Sequence, residues 1–311
     1  MSISIIIVTY QRTERCQEAI RDLVPMLAAD SELIIVEQCS SAVAIFCNGL
    51  GLPQIRCLNL PNPSMVGARN AGITAATKDL LLFLDDDVIP LDGLIEGHES
   101  GYSSDRIGGV AGRILSDPRE VHETSAGLPP FAQTRDGWDL VDFRSAQQGE
   151  VYSIRGCNMS FRRDLLIRLG GFDTHLRMWR DDADMGFRVW EAGYRIIFEP
   201  SAALSHLDHA SGGTRSNRVD RGVMAAELAQ YARHYRHYRD NLYFLCRHFS
   251  GSERIKLIAR AYRDYVGISR WPWRLIAKNL CFLTALAQAN RLAKAAMAQA
   301  PKPLQEINEL V

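Results

Sequence analysis

The string LLLFLDDDVIP, residues 80–90, sets Asp85, Asp86 and Asp87 directly behind a continuous apolar run. Adjacent acids each raise the cost of ionising their neighbours, so the cluster calls for a compensating partner. A divalent cation is one such partner, because a hard ion prefers clustered oxygen donors and cancels their repulsion. A solvated turn is the other reading, since Asp is common where strands end. Leu80, Leu81, Leu82, Phe83 and Leu84 read as a strand covered on both faces, as in a parallel sheet. Open α/β sheets bind ligands at the carboxyl ends of such strands, which favours a ligand site.

The elements that must position this strand end alternate through the first half of the chain. Residues 3–8, 32–36, 54–58 and 79–84 read as strands, and 13–28, 41–50 and 66–77 as helices. Such βαβα alternation predicts a parallel sheet with crossover helices. Next come a short helix near 91–99, a strand near 107–115 and a long polar stretch at 116–150, of the length expected for a binding loop. A strand near 151–155, a helix near 162–169, a Gly-Gly break at 170–171, a helix near 182–192 and strands near 194–206 complete this region. Beyond HASGGTRS the pattern is helical. Leu228, Tyr231, Tyr235, Tyr238, Leu242 and Leu245 recur three and four apart, one apolar stripe on a helix. The expected domains are therefore 1–213, an α/β catalytic domain, and 214–311, a helical appendage ending in a loosely held tail.

Composition is that of a globular chain: 311 residues, 47% hydrophobic and 23% charged, with no net charge. The charge is unevenly spread. Thirteen cations against five acids between Thr214 and Arg274 leave that segment at +8 and the remainder at −8. Arg and Tyr interleave there, but the aromatics fall on one seam, so core packing is favoured over nucleic-acid binding. The seven cysteines form no CxxC pair and read as reduced thiols of a cytoplasmic protein. MSISIIIVTYQR lacks a basic n-region and is expected to be a first strand. No run of 18 apolar residues is present to span a membrane.

Four ordered stretches, IIIVTYQR, VGARNAGI (66–73), FLDDDVIP (83–90) and WRDDADMGFR (179–188), resemble the family 2 glycosyltransferases of the GT-A fold. GCNMSFRRDLL (156–166) and GGFD (170–173) add to the likeness, which covers roughly the first two thirds of the chain. A lone DxD would be weak; the ordered set is specific. The resemblance implies a nucleotide-diphospho-sugar transferase with a Rossmann-like, mostly parallel sheet, assisted by Mg2+ or Mn2+. It implies Asp87 as metal ligand, with Asp85 near the ribose and Asp86 beside the nucleotide. Thr9, Tyr10 and Arg12 correspond to the nucleotide-binding loop, although a plain strand-to-helix turn is the alternative. Glu37 stands where many relatives have Asp, and Arg69 and Asn70 sit in the ARN.G motif as nucleotide-sugar contacts. An exposed salt bridge is the other reading of Arg69.

In DDAD, 181–184, the resemblance makes Asp182 the general base, with Asp181 and Trp179 toward the acceptor. Acids in a first helical turn also suit the helix dipole without any catalysis. His206 matches a late histidine that reaches the cation, better than His209 does, and an HxxH pair by itself lacks a third zinc ligand. A single base implies inversion at the anomeric carbon. The expected reaction is transfer from a UDP- or dTDP-sugar to a glycan or lipid-linked hydroxyl.

Three other readings compete. A nucleotidyltransferase of related sheet order would need a Gly-rich loop after the first strand, and VTYQRTERC has no glycine. A catalytically silent sugar-nucleotide-binding protein would not need both Asp87 and Asp182. A dehydrogenase lacks its GxGxxG. Finally, SRWPWRLIAKNLCFL, 269–283, joins Trp271 and Trp273 to Arg270, Arg274 and Lys278. It suggests a peripheral contact through 269–299 with the inner membrane face, against the alternative that the tryptophans pack onto the catalytic domain.

Overall fold

The structure, a computed structural model, describes residues 1–116, 141–177, 179–207, 223–266, 272–299 and 304. Most of the 116–150 stretch, the HASGGTRS segment, Arg270, Trp271 and nearly all of the final tail lie outside the described residues. So do the side chains of Leu228, Tyr231, Trp273 and Arg274.

The chain divides into two units. One comprises Met1–Phe172, Asp182–Ser216 and Lys302–Val311; the other comprises Asp173–Asp181 and Asn217–Pro301. The expected boundary at 213/214 compares with the 216/217 division, but the short 173–181 segment falls with the helical unit.

The first unit holds a single sheet of nine strands among the described residues. β1 (Ile3–Tyr10), β2 (Glu32–Gln38), β3 (Ile55–Leu60) and β4 (Leu80–Leu84) are parallel, in the order β3-β2-β1-β4. Helices α1 (Thr13–Leu23), α2 (Ala42–Leu50) and α3 (Met65–Ala75) make the crossovers. Alternate residues of each strand go to opposite faces. Ile3, Ile5, Ile7, Leu80, Leu82 and Leu84 join Cys16, Ile20 and Leu23 of α1 in one core. Ile6, Leu81 and Phe83 join Val66 and Ile73 of α3 in the other. Fully burying each such side chain contributes about 1.5–3 kcal/mol, which is why the apolar run is continuous.

Beyond β4 lie β5 (Val88–Pro90), α4 (Leu94–Ser100), β6 (Ile107–Leu115), β7 (Gly149–Glu150), β8 (Asn158–Arg162), α5 (Arg163–Arg168), α6 (Asp181–Glu191) and β9 (Arg195–His206). β8 runs antiparallel between β4 and β6, so the sheet is mixed at its centre. The strand expected near 151–155 does not form. Val151, Ser153 and Ile154 are buried, yet only Val151 donates to the sheet, at Ile196 O. Its carbonyl accepts from Trp190 Nε1 of α6 instead, at 2.9 Å. Ladder pairing stops at Glu150 of β7 and resumes at Asn158 of β8.

A buried polar network holds β8 to α4. His98 Nδ1 lies 2.9 Å from Ser160 Oγ and its Nε2 lies 2.8 Å from Asn158 Oδ1, while Tyr102 Oη lies 2.9 Å from Ser160 Oγ. The Asn158 amide donates to the carbonyls of Arg113 and Ala202, tying β6, β8 and β9 together.

The second unit contains α7 (Val223–His248), α8 (Gly251–Val266) and α9 (Pro272–Met297). Of the expected stripe, Tyr238, Leu242 and Leu245 are buried and Tyr235 half-buried; Tyr238 and Leu242 pack with Phe282, Ala285, Ala289 and Ala293 of α9. The small residues let the two long helices approach closely.

Burial holds the His98 imidazole down to about 4, against the pull of its Asn158 hydrogen bond. The unfolded chain takes up a proton near 6.5 and the folded chain does not, so stability is lost as pH falls between these values. Denaturant titrations at pH 7.5 and 5.0 should differ by about 2 kcal/mol from this residue. His98→Gln should lose that component of the slope; an unchanged slope refutes the assignment.

Candidate active site

The sheet order reverses between β1 and β4, and the acidic cluster sits at that point, beyond the carboxyl ends of both strands. Register explains the neighbours. Ile7 pairs with Leu84, so Thr9, two residues further along β1, comes level with Asp86. The Thr9 hydroxyl donates to Asp86 Oδ2 at 2.7 Å. Arg12 begins α1 after a left-handed Gln11 (φ 57), which turns the chain back over the strand ends. Its guanidinium bridges Asp86 Oδ1 at 3.0 Å and Asp87 Oδ2 at 2.8 Å.

Asp86 and Asp87 are buried, whereas the Asp85 side chain keeps 39% of its exposure. Burial pushes Asp86 up to about 6, against the hydrogen bond from Thr9 and the charge of Arg12. Burial acts on Asp85 in the same direction, but His206 and Arg69 hold it below the usual carboxylate range. His206 ends β9 and pairs in the ladder with Val88, which brings its ring back to the cluster. Its Nε2 lies 3.6 Å from Asp85 Oδ2 and 3.4 Å from Asp87 Oδ1. These acids push the imidazole up to about 10, which favours its cationic form among them.

The base candidate reaches the cluster through two intermediaries. Asp182, at the start of α6, accepts from Gly156 N–H at 3.0 Å and from Ala183 N–H at 2.8 Å. The carbonyl of Gly156 accepts from Arg69 Nη2 at 3.3 Å, and Arg69 lies 3.7 Å from Asp85 Oδ1. Arg69 is buried with its guanidinium over the Phe172 ring, not on an exposed face. A Cβ on Gly156 would meet Arg69 Nη2 at 2.4 Å, so glycine is required for this approach.

Other expected site residues have different surroundings. Both Glu37 oxygens accept from Val43 N–H and one also from Ala44 N–H, all at 3.1 Å, so Glu37 caps α2, whose own N-cap makes no side-chain bond. The longer reach of Glu makes this possible. Asn70 is buried, donating to Phe172 O at 2.9 Å and accepting from Phe172 N–H at 2.8 Å, which clamps the Gly-Gly turn. Tyr10 is half-buried beside Gln38 at the end of β1. Trp179 belongs to the helical unit, where its ring meets His237 edge-on at 4.8 Å, and Asp181, the last residue of that unit's 173–181 segment, is buried. The third acid of DDAD, Asp184, is fully buried in an ion pair with Arg188 at 2.8 Å.

Cys157 was not singled out by sequence. One carboxylate oxygen of Asp85, a ring nitrogen of His206 and the Cys157 sulfur all lie within 4.8 Å of one another. No sequence spacing links the three; only the ladder positions of Asn158 and His206 beside β4 and β5 do. The oxygens of Asp85 and Asp87 with the His206 imidazole are donors that fit a divalent cation.

A family model described as glycosyltransferase like family 2 matches residues 2–233. The chain is 37% identical over 220 residues to an uncharacterised glycosyltransferase of Bacillus subtilis, covering 70% of this chain and 78% of that one. It is 25% identical over 227 residues to the glucosyl-dolichyl phosphate glucuronosyltransferase of Haloferax volcanii, covering 66% and 69%. Likeness to the pre-mycofactocin glycosyltransferase of Mycobacterium tuberculosis is 29% over 144 residues, 46% of this chain; the chain spans only 29% of that relative's length. A mannosyltransferase of Pyrobaculum calidifontis, solved with GDP-Man and Mn2+, superposes with a TM-score of 0.56 at 19% identity, covering 99% of this chain and 83% of that one. The shared fold is GT-A, and with a family match over residues 2–233 of 311 this chain belongs to glycosyltransferase family 2.

Proposed function

We propose that the protein transfers a sugar from a nucleotide-diphospho-sugar to an acceptor hydroxyl, with inversion at the anomeric carbon. The observation that supports this reading is the chain of contacts from Asp182 through Gly156 and Arg69 to Asp85, which links the base candidate to the acidic cluster. Asp85, Asp87 and His206 would hold Mg2+ or Mn2+. A bound cation supplies charge stabilisation to the departing diphosphate without a proton transfer. Asp182 takes the acceptor O–H proton as that oxygen attacks the anomeric carbon; the bond from carbon to diphosphate breaks, and its electrons leave with the nucleoside diphosphate. Thr9 and Arg12 fix Asp86 and Asp87, and Arg69 is placed to meet donor charge. A UDP- or dTDP-sugar is the donor we favour from the family motifs, and the glucosyl-dolichyl phosphate named for the Haloferax volcanii relative favours a lipid-linked acceptor.

A lipid-linked acceptor calls for a membrane surface. Among the described residues no helix is long and apolar enough to cross one. Ile255 and Tyr262 of α8 and Ile276, Leu280 and Leu283 of α9 are nonetheless exposed. Ile255, Ile258, Ala259, Tyr262 and Phe282 line an open groove of about 380 Å³. Arg254, Lys256, Arg260, Arg263 and Lys278 share these two helices, so an anionic lipid surface complements both the apolar stripe and the charge.

Asp87→Ala should abolish Mn2+-dependent UDP or dTDP binding by calorimetry while preserving the circular dichroism spectrum; unchanged affinity sinks the cation assignment. Asp182→Asn should bind donor normally and transfer about 10²-fold more slowly or worse, the scale of a missing base. Near-native turnover would remove Asp182 from that role. The protein should co-sediment with anionic vesicles at low salt and be released at high salt. Ile276→Asp with Leu280→Asp should keep it in the supernatant; pelleting unaffected by both changes overturns the membrane reading.

A further inference from the structure

We propose that Asp240 of α7 is a positioning residue for the acceptor half of the reaction, fixing the backbone of the segment that carries Trp179 and Asp181. The inference rests on the proposed transfer for what this segment does; the hold on it rests on geometry within the helical unit alone. Residues 173–181 belong to that unit, and the described ones before Asp181 form neither helix nor strand. Such a stretch has no ladder to satisfy its backbone groups, so side chains must do so. Asp240 Oδ2 accepts from the backbone N–H of Arg177 at 3.2 Å and of Trp179 at 3.3 Å. Its other oxygen accepts from Arg239 Nε at 2.9 Å, and Arg239 Nη2 donates onward to His175 O at 3.0 Å. Asp240 and Arg239 are both buried, so one buried ion pair holds three backbone groups of the segment.

Neighbouring residues of α7 complete the hold. Arg180 Nε donates to Asn241 Oδ1 at 2.8 Å, and the Trp179 ring meets His237 edge-on at 4.8 Å. His237, Asp240 and Asn241 are three and four residues apart, so they share one helix face. Leu176 is buried beside Tyr238 and Leu242 in the core of the same unit. Arg180 has φ 70, a left-handed backbone that a β-carbon disfavours and that persists only where surrounding contacts over-determine it. The bonds to Asp240 and Asn241 supply that determination just before Asp181. The family match ends at residue 233, so His237, Asp240 and Asn241 lie past it. A segment inside the matched region is thus held by side chains outside it.

The experiment is amide hydrogen exchange and turnover on the full chain, wild type against Asp240→Ala, Asp240→Asn and Asn241→Ala. Loss of the charged acceptor should speed exchange at the Arg177 and Trp179 amides about 10-fold or more in Asp240→Ala, with the α9 core at 282–293 unchanged. Asp240→Asn keeps an acceptor oxygen for those amides but loses the charge that pairs Arg239. Exchange there should stay near the wild-type rate although the melting temperature falls. Asn241→Ala removes only the neutral partner of Arg180 and should show the same changes at smaller size, which keeps the test decisive if Asp240→Ala does not fold. Turnover of a UDP- or dTDP-sugar, with polyprenyl-phosphate-linked glucose as the acceptor probe, should follow exchange and not melting temperature. In Asp240→Ala acceptor KM should rise or kcat fall about 10-fold or more, with the calorimetric affinity for UDP with Mn2+ unchanged. Unchanged exchange at Arg177 and Trp179, full turnover in Asp240→Ala, or losses that track melting temperature across the variants overturns the proposal. If the wild type does not use the probe, exchange alone decides. The expected exchange and turnover beside a fully active Asp182→Asn leaves Asp240 in its role and removes the base reading instead.

Discussion

Everything at the sheet's carboxyl end answers to the repulsion among three adjacent carboxylates. Two unit charges about 4 Å apart interact by about 4 kcal/mol at an effective dielectric of 20, and burial of Asp86 and Asp87 makes the penalty worse. The protein meets it with cations from three separate elements. Arg12 comes from the start of α1, Arg69 from α3 and His206 from the end of β9. Each must reach the β4–β5 connection, so the crossover helices and the return of β9 are constrained together.

The family motifs divide into residues that face this site and residues that hold it. Asn158 of GCNMS ties three strands, Asn70 of ARNAG clamps Phe172, and Asp184 of DDAD locks Arg188 onto the carbonyls of Leu169 and Gly171. Gly171, with φ +68, has Asn70 Oδ1 2.6 Å from where a Cβ would stand. These contacts are buried and saturated, so removing one partner leaves a desolvated polar group costing about 1–3 kcal/mol. Motif letters thus record scaffold as well as chemistry.

The helical unit is a different kind of object. Its core is one seam between α7 and α9, and its outer residues combine exposed aliphatics with a surplus of cations. Asp173 shows how its edge is tied: Tyr243 and Arg247 both bind its carboxylate, and His175 lies 2.8 Å from it. Burial opposes ionisation of that carboxylate, but these partners hold it well below the usual range.

By itself the sequence determined the alternation of strands and helices, the apolar β4 ending in three acids, and the seam of Tyr238 and Leu242. These follow from burial periodicity, which each segment carries locally. The failure at 151–155 marks the limit of that signal, because the Val151 carbonyl there accepts from Trp190 of α6 rather than joining a ladder. Only the tertiary structure decided which side chains meet. Glu37 turned to the end of α2, Asn70 to Phe172, and Cys157 to Asp85 and His206. The physical reason is that a carboxylate or thiol has no periodicity. Its partner is set by strand register across long stretches of chain, and register is a property of the assembled sheet.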